Sequence, residues 1–217
     1  MTELVLTVDA ILTGKPAFIA PGVLSAMGKT PATGPVRLSW LGFEGDAVAD
    51  PTVHGGHDKA VHLFPQEHYH WWRMPLGKHP LLDAPGAFGE NLATHGAIEG
   101  MLCLGDRFTL GTALLEICQG RQPCSKLNYR FGNDEVLARA AQTGRIGLYL
   151  RVIREGEAQA GNVMTLTERP HPEWSVARMF DLLVAGGYRR DPAGVAELAK
   201  LPVLAEAWRS RAEKLAR

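Results

Sequence analysis

Two stretches near the start of the chain, Leu4 to Leu12 and Val36 to Phe43, are short and apolar or β-branched, the pattern of strands. Between them Gly28, Thr30, Pro31, Thr33, Gly34 and Pro35 interrupt any regular pattern, so this segment is expected to be a loop with scope for mobility. Ala60 to Phe64 reads as a short buried strand. Pro65 closes it, and Glu67-His-Tyr-His-Trp-Trp-Arg73 then has the length of a two-turn helix. Arg107 to Leu110 and Ala113 to Gln119 flank Gly111 and Thr112, a hairpin signal, and Gly147 to Arg154 adds a further strand. Short strands punctuated by Gly and Pro, without βαβ alternation, predict a mainly β protein with short helices (α+β). Its sheet should be mostly antiparallel or a barrel rather than doubly wound.

After Thr167 the pattern changes. Glu168-Arg-Pro-His-Pro-Glu173 is a stiff polar joint, and the chain beyond it has helical periodicity. Val176, Met179, Phe180 and Leu183 recur at helical spacing behind Ser175, a good N-cap. Asp191-Pro192 is an N-cap followed by proline at the first helical position, and Leu204, Ala207, Trp208 and Leu215 follow Pro202. The expected division is a main β domain over 1–168 and a three-helix extension over 169–217. Three helices this short bury little surface alone, so they should pack on the main domain.

Charge and cysteine usage narrow the function classes. Lys+Arg and Asp+Glu both number 23, so no global positive field exists to hold a polyanion, and nucleic acid is not an expected partner. No apolar run approaches the roughly 18 residues that cross a bilayer, so no membrane partner is expected. The first residues, Met1 to Asp9, carry an acid at Glu3 and no basic start. They read as a strand rather than a signal peptide. Three cysteines at irregular spacing, Cys103, Cys118 and Cys124, point to the reducing cytoplasm.

Three constellations carry candidate chemistry. The first is His54-Gly55-Gly56-His57-Asp58-Lys59, preceded by Asp46 and Asp50. Its glycine pair allows close backbone approach to a ligand, with Lys59 offering a charge to an anion; a tight turn of solvated polar residues is the alternative. Neither Cys-x-x-Cys nor His-Glu-x-x-His spacing, the marks of a zinc site, occurs in the chain. The second is Phe88-Gly-Glu-Asn-Leu92, where Asn91 offers a donor and an acceptor suited to the edge of a heterocycle. Glu90, like Asp106 further on, suits a structural role as well as a chemical one. The third is Gln119-Gly-Arg121-Gln-Pro-Cys124-Ser-Lys126, at the exit of an apolar strand. Flanking bases are the setting in which thiols become reactive or bind metals. Cys118 and Cys103 lie within apolar runs, where cysteine serves as a small hydrophobe.

His54-Gly-Gly-His-Asp-Lys-Ala-Val61, Gly86-Ala-Phe-Gly-Glu-Asn-Leu92, Gly105-Asp106 and Arg121-Gln-Pro-Cys124 occur in this order, and together they resemble the MOSC domain, named for the C-terminal domain of molybdenum cofactor sulfurases. The resemblance runs from about Thr7 to Thr165, and the helical tail is similar to the three-helix extension of the YiiM-type subgroup. It implies a β-barrel holding a pterin-based molybdenum cofactor through a cysteine that falls on Cys124. A basic rim of Lys59, Arg121 and Lys126, with Gly55, Gly56 and Asn91 alongside, would complete the cofactor site.

It further implies reduction of N-hydroxylated compounds such as hydroxylamino-purines, a detoxifying reaction. Because histidine titrates near neutral pH, His57, Asp58 or His54 is the expected proton donor. Three cysteines cannot ligate an iron–sulfur cluster that needs four, so the electrons would come from a separate reductase protein. A different class of protein needs the same thiol: a non-catalytic module that carries the cofactor, or sulfur as a Cys124 persulfide. A metal-free interaction domain is a third class, and it would leave the glycine-rich and basic motifs purely structural.

Overall fold

The computed structural model describes residues 4–217, so Met1 to Glu3 of the expected first strand lie outside the described residues. Strand β1 (Val5–Thr13) leads into a hairpin of β2 (Ala17–Ala20) and β3 (Val23–Ser25). Next come β4 (Thr30–Pro31), β5 (Val36–Ser39), β6 (Gly42–Phe43) and the single turn α1 (Pro51–His54). Strand β7 (Val61–Pro65), helix α2 (Glu67–Leu76) and strands β8 (Leu92–His95), β9 (Arg107–Leu110) and β10 (Ala113–Gly120) follow. Two helices, α3 (Lys126–Phe131) and α4 (Val136–Thr143), then lead to β11 (Leu148–Arg154), β12 (Gly156–Ala158) and β13 (Val163–Glu168). The tail is α5 (Val176–Leu183), α6 (Pro192–Leu198) and α7 (Glu206–Leu215).

Seven strands close a barrel in the order β1-β13-β9-β10-β11-β7-β8, and β4 extends it beside β1. The seam is the β1–β13 ladder, with Val5 opposite Thr165 and Thr7 opposite Val163. Closure removes the exposed edges of an open sheet. Only β7 and β8 run parallel, which agrees with the expected antiparallel barrel. In β1 inward and outward positions alternate through Leu6 and Val8. A bulge between Val8 and Ala10 then shifts the phase, so Ile11 and Leu12 are both buried. Strand β10 is buried almost throughout because one face fills the barrel and α5 covers the other; a Cβ at Gly120 would lie 3.1 Å from Met179 Cε.

Several elements depart from the sequence reading. The stretch Val36 to Phe43 is not one strand but β5 and β6, joined by a turn at Trp40 and Leu41. Gly42 makes this possible, since its φ is +121° and a Cβ there would fall 2.4 Å from the Ala60 carbonyl oxygen. The Gly28–Pro35 segment was expected to be an irregular, movable loop. Instead Thr30 and Pro31 pair with Thr13 and Leu12, and the chain just before them is clamped by glycines from elsewhere. A Cβ on Gly14 would sit 3.0 Å from Gly28 O, on Gly86 3.2 Å from Lys29 O, and on Gly89 2.9 Å from Met27 Cα. The β2–β3 hairpin, α3, α4, β12 and β13 had no strong sequence signal, being short or half exposed.

The tail helices form where expected. Ser175 Oγ accepts from Arg178 N at 3.1 Å, and Asp191 Oδ1 accepts from Gly194 N at 2.7 Å with Pro192 following the cap. Val176, Met179, Phe180, Val195, Leu198 and Trp208 belong to the same buried cluster as the barrel residues Leu115, Ile117 and Leu148. Backbone bonds join the two parts: Leu104 N to Trp174 O at 2.9 Å, Val176 N to Leu102 O at 2.8 Å and Ala205 N to Cys118 O at 3.0 Å. No helix among the described residues is long and apolar enough to cross a membrane.

Candidate functional site

A cavity of about 320 Å³ opens at one end of the barrel. The run Ser25 to Lys29, the 41–51 segment, α1 with Gly55 and Gly56, the Gly89–Asn91 turn and the Arg121–Lys126 strand exit meet around it. Leu41, Phe43, Val48 and Pro51 give it apolar lining. Lys29, Lys59, Arg121, Lys126 and Cys124 line it too, with Asp46 as the one carboxylate among the described wall residues. Four cations against one acid make this a place for an anionic group.

The turns that build the wall are held by side chains that are themselves closed off. Glu90 is fully buried, and its carboxylate accepts from Tyr69 Oη at 2.7 Å, Gly86 N at 2.7 Å and Phe88 N at 3.1 Å. That fixes the Gly86–Asn91 turn from within, the structural role rather than the chemical one. Its carbonyls are held from outside: Arg121 Nη1 donates to Phe88 O at 2.6 Å, and Arg130 donates to Ala87 O at 2.7 Å and Gly86 O at 2.9 Å. Asp106 is likewise closed, accepting from Cys103 N at 2.8 Å and from both Arg169 Nε and Nη2.

Of the three thiols, Cys124 is half-buried on the cavity wall, and its Sγ accepts weakly from Lys126 N at 3.4 Å. Cys118 is fully buried and donates to Asp58 O at 3.2 Å; burial pushes its thiol up to about 12. Cys103 donates to Pro172 O at 3.5 Å, away from the cavity, and burial raises it too, helped by the Asp106 carboxylate.

The first sequence motif is divided by the fold. His54, Gly55, Gly56 and Lys59 line the cavity, whereas His57 and Asp58 do not. Gly56 adopts a φ of +96°, after which a 3-10 turn over His57–Lys59 aims Asp58 at Arg151, with Oδ1 to Nη2 at 2.9 Å. The Asp58 carbonyl also accepts from Gln119 Nε2 at 2.6 Å, so this residue is tied into the barrel wall. Burial pushes the His54 imidazole down, and the charges of Lys126, Lys59 and Arg121 push it further, against a smaller opposing pull from Asp50. Lys59 Nζ donates to Val53 O. Asn91 spends its amide on the framework, accepting from His62 N at 3.0 Å and donating to Asp46 Oδ2 at 2.8 Å and Leu12 O at 3.2 Å.

Three titratable wall residues escaped the sequence reading: Lys29, His62 and Tyr149. Lys29 stood in a segment read as a loop, and the other two lie in strands read only for their apolar pattern. Among the described residues no group of three or more His, Cys, Asp or Glu is placed to hold a metal ion. A metal here would bring most of its own ligands. One available thiol beside a cationic wall fits a molybdenum centre whose other sulfurs come from a pterin dithiolene and whose pterin carries a phosphate.

Barrel, thiol and basic wall together define the class. The chain belongs to the MOSC domain family, a family associated with the molybdenum cofactor; the family's domain matches residues 50–165. Residues 174–215 match the YiiM-like, 3-alpha helix domain, which places the chain in that subgroup. Protein YiiM of Escherichia coli (strain K12) is 38% identical over 159 residues, covering 73% of this chain and 71% of that protein. The crystal structure of YiiM from Geobacillus stearothermophilus superposes with a TM-score of 0.82 at 31% identity, covering 98% of this chain and all of that one. A protein of Gibberella moniliformis named "Reductase" is 41% identical over 155 residues, 71% of this chain but only 28% of its own length.

Proposed function

We propose that this protein is a molybdenum-cofactor-dependent reductase that removes oxygen from N-hydroxylated compounds, hydroxylamino-purines being the representative class. The observation that carries the reading is Cys124: it is the one cysteine on the cavity wall among the described residues, and it faces cations. The name "Reductase" carried by the fungal relative supports a reductive activity.

When bound, the cofactor would supply the two-electron chemistry at the N–O bond. The chain's own residues do the rest. Cys124 would offer its sulfur to the metal, and Arg121, Lys59 and Lys126 would hold the anionic end of the pterin. The apolar lining residues Leu41, Phe43 and Val48 would accommodate an uncharged ring. The overall conversion is R–NHOH with two electrons and two protons to R–NH2 and water, the electrons arriving from a separate reductase protein.

The half-buried thiol equally suits a carrier of cofactor or sulfur, and one experiment separates the two. Metal-loaded protein is given a hydroxylamino-purine and a chemical reductant. Formation of the amine at many turnovers per molybdenum is expected. A loaded protein that reduces no N-hydroxylated compound but passes cofactor or sulfur to an acceptor protein would replace the reductase with the carrier.

A further inference from the structure

We propose that Lys29, tethered to Asp46, is the group that hands a proton to the departing oxygen, an inference that rests on the reductive reading above.

Lys29 is set apart from the other cations on the wall by how it is mounted. Its side chain is 7% exposed, and its ammonium pairs with Asp46 Oδ2, its one hydrogen-bond partner among the described residues, so donor capacity remains on a group that lines the cavity. Asp46 is fixed in turn by Gly14 N at 2.9 Å and Asn91 Nδ2 at 2.8 Å. The close approach of Gly14, Gly86 and Gly89 to Met27–Lys29 leaves no space for side chains there, so the lysine's own backbone is clamped. A buried ammonium on a rigid mount, in a cavity that Cys124 also lines, is more than a fold requires.

Elimination among the wall groups points the same way. Arg121 cannot release a proton at any working pH, and it is committed to Phe88 O. Burial and the neighbouring cations push the His54 imidazole down, disfavouring the protonated form that could donate. Burial pushes the Tyr149 phenol up, making it a weaker acid than usual. His57 and Asp58 are not on the wall. For Lys29, burial weakens the hold on its proton and Arg121 does so slightly, while Asp46 and, more weakly, Glu90 favour the charged form; the net direction is downward. His62 also lines the wall, and burial pushes its ring well below its ordinary 6.5; the other two wall lysines are mounted differently, Lys59 donating to Val53 O on the exposed side and Lys126 standing at the start of α3. A buried lysine kept protonated by one carboxylate can lose a proton during a reaction and regain it from solvent through that carboxylate.

In the balanced step the N–O bond of R–NHOH breaks as two electrons arrive from the external reductase. The oxygen takes its second hydrogen from Lys29 Nζ and leaves as water, and the nitrogen takes its proton from solvent. Lys29 is reprotonated past Asp46.

The test compares Lys29→Met and Lys29→Arg with the wild type, all loaded with cofactor and supplied with a chemical reductant. Both variants should lose on the order of 100-fold or more in kcat with molybdenum content and KM little changed, because arginine keeps the charge but cannot give up a proton. The wild-type kcat should fall as pH rises through the Lys29 titration, and the arginine variant should lack that limb. On metal-free protein, competitive acetylation read by mass spectrometry should show Lys29 titrating below the exposed lysines, and lower still in Asp46→Asn. Full activity in Lys29→Arg, or titration of Lys29 together with the exposed lysines, overturns the inference while leaving the reductase reading intact. A wild-type enzyme that reduces nothing overturns the reading itself.

Discussion

Asp106 and Asp46 both bury a carboxylate against a base, yet they sit in opposite kinds of surroundings. Asp106 has no exposed surface, and its two oxygens accept from Cys103 N and from two nitrogens of Arg169, which reaches in from the joint before the tail. Every lone pair that matters is used, and nothing opens onto it. Asp46 is held as firmly by Gly14 N, Asn91 and Lys29, but its partner lysine faces a cavity beside Cys124. Burial with complete satisfaction makes a pin; burial with one face left open makes a site. The Asp106 pin joins barrel to tail, whereas Asp46 mounts the cavity's charged wall.

If that difference is real, the two acids should fail differently. Asp106→Ala leaves a guanidinium and a backbone N–H without their partner, and it should cost roughly 3 kcal/mol of unfolding free energy in a denaturant titration. Asp46→Ala should cost less, about 1–2 kcal/mol, since water in the cavity can reach the Lys29 ammonium. Its larger effect should be on turnover. Equal stability losses at both positions would remove the distinction between pin and site.

His62 sharpens the comparison from the closed side. It is buried, its Nε2–H donates to Ile146 O at 3.0 Å, and burial, with Arg121 adding to it, holds the ring well below its ordinary 6.5. The unfolded chain therefore binds a proton that the native state refuses. Above pH 6.5 the ring costs nothing, and as pH falls below 6.5 stability is lost, by at most about 1.4 kcal/mol per pH unit. Thermal unfolding at pH 7.5 and 5.5 should show that His62→Gln flattens part of the acid slope. An unchanged slope would mean the native state accepts the proton at His62.

How much of this was legible in the sequence follows the same division. Strands β7, β9, β10 and β11 were readable because their apolar runs are bounded by Gly and Pro, and the tail helices because Ser175 and Asp191 cap them. The family was readable from four motifs in register, and Cys124 stood out among three thiols by its basic neighbours. Lys29 was not readable, because its burial depends on Gly14, Gly86 and Gly89, which sequence distance hides. Nor could the sequence divide His54 from His57 and Asp58. Adjacency in the chain suggested a common role, and one residue at positive φ, Gly56, sends them to different faces.

The central claim is that Cys124, in its basic cavity, holds the cofactor, and metal content tests it most directly. Wild type, Cys103→Ala, Cys118→Ala and Cys124→Ala would be produced in a cofactor-competent host, and molybdenum measured by mass spectrometry with pterin by fluorescence. The account predicts that the first three carry molybdenum and pterin in similar amounts while Cys124→Ala loses the metal. A Cys124→Ala protein that keeps wild-type molybdenum, with either of the other variants losing it, would contradict the assignment.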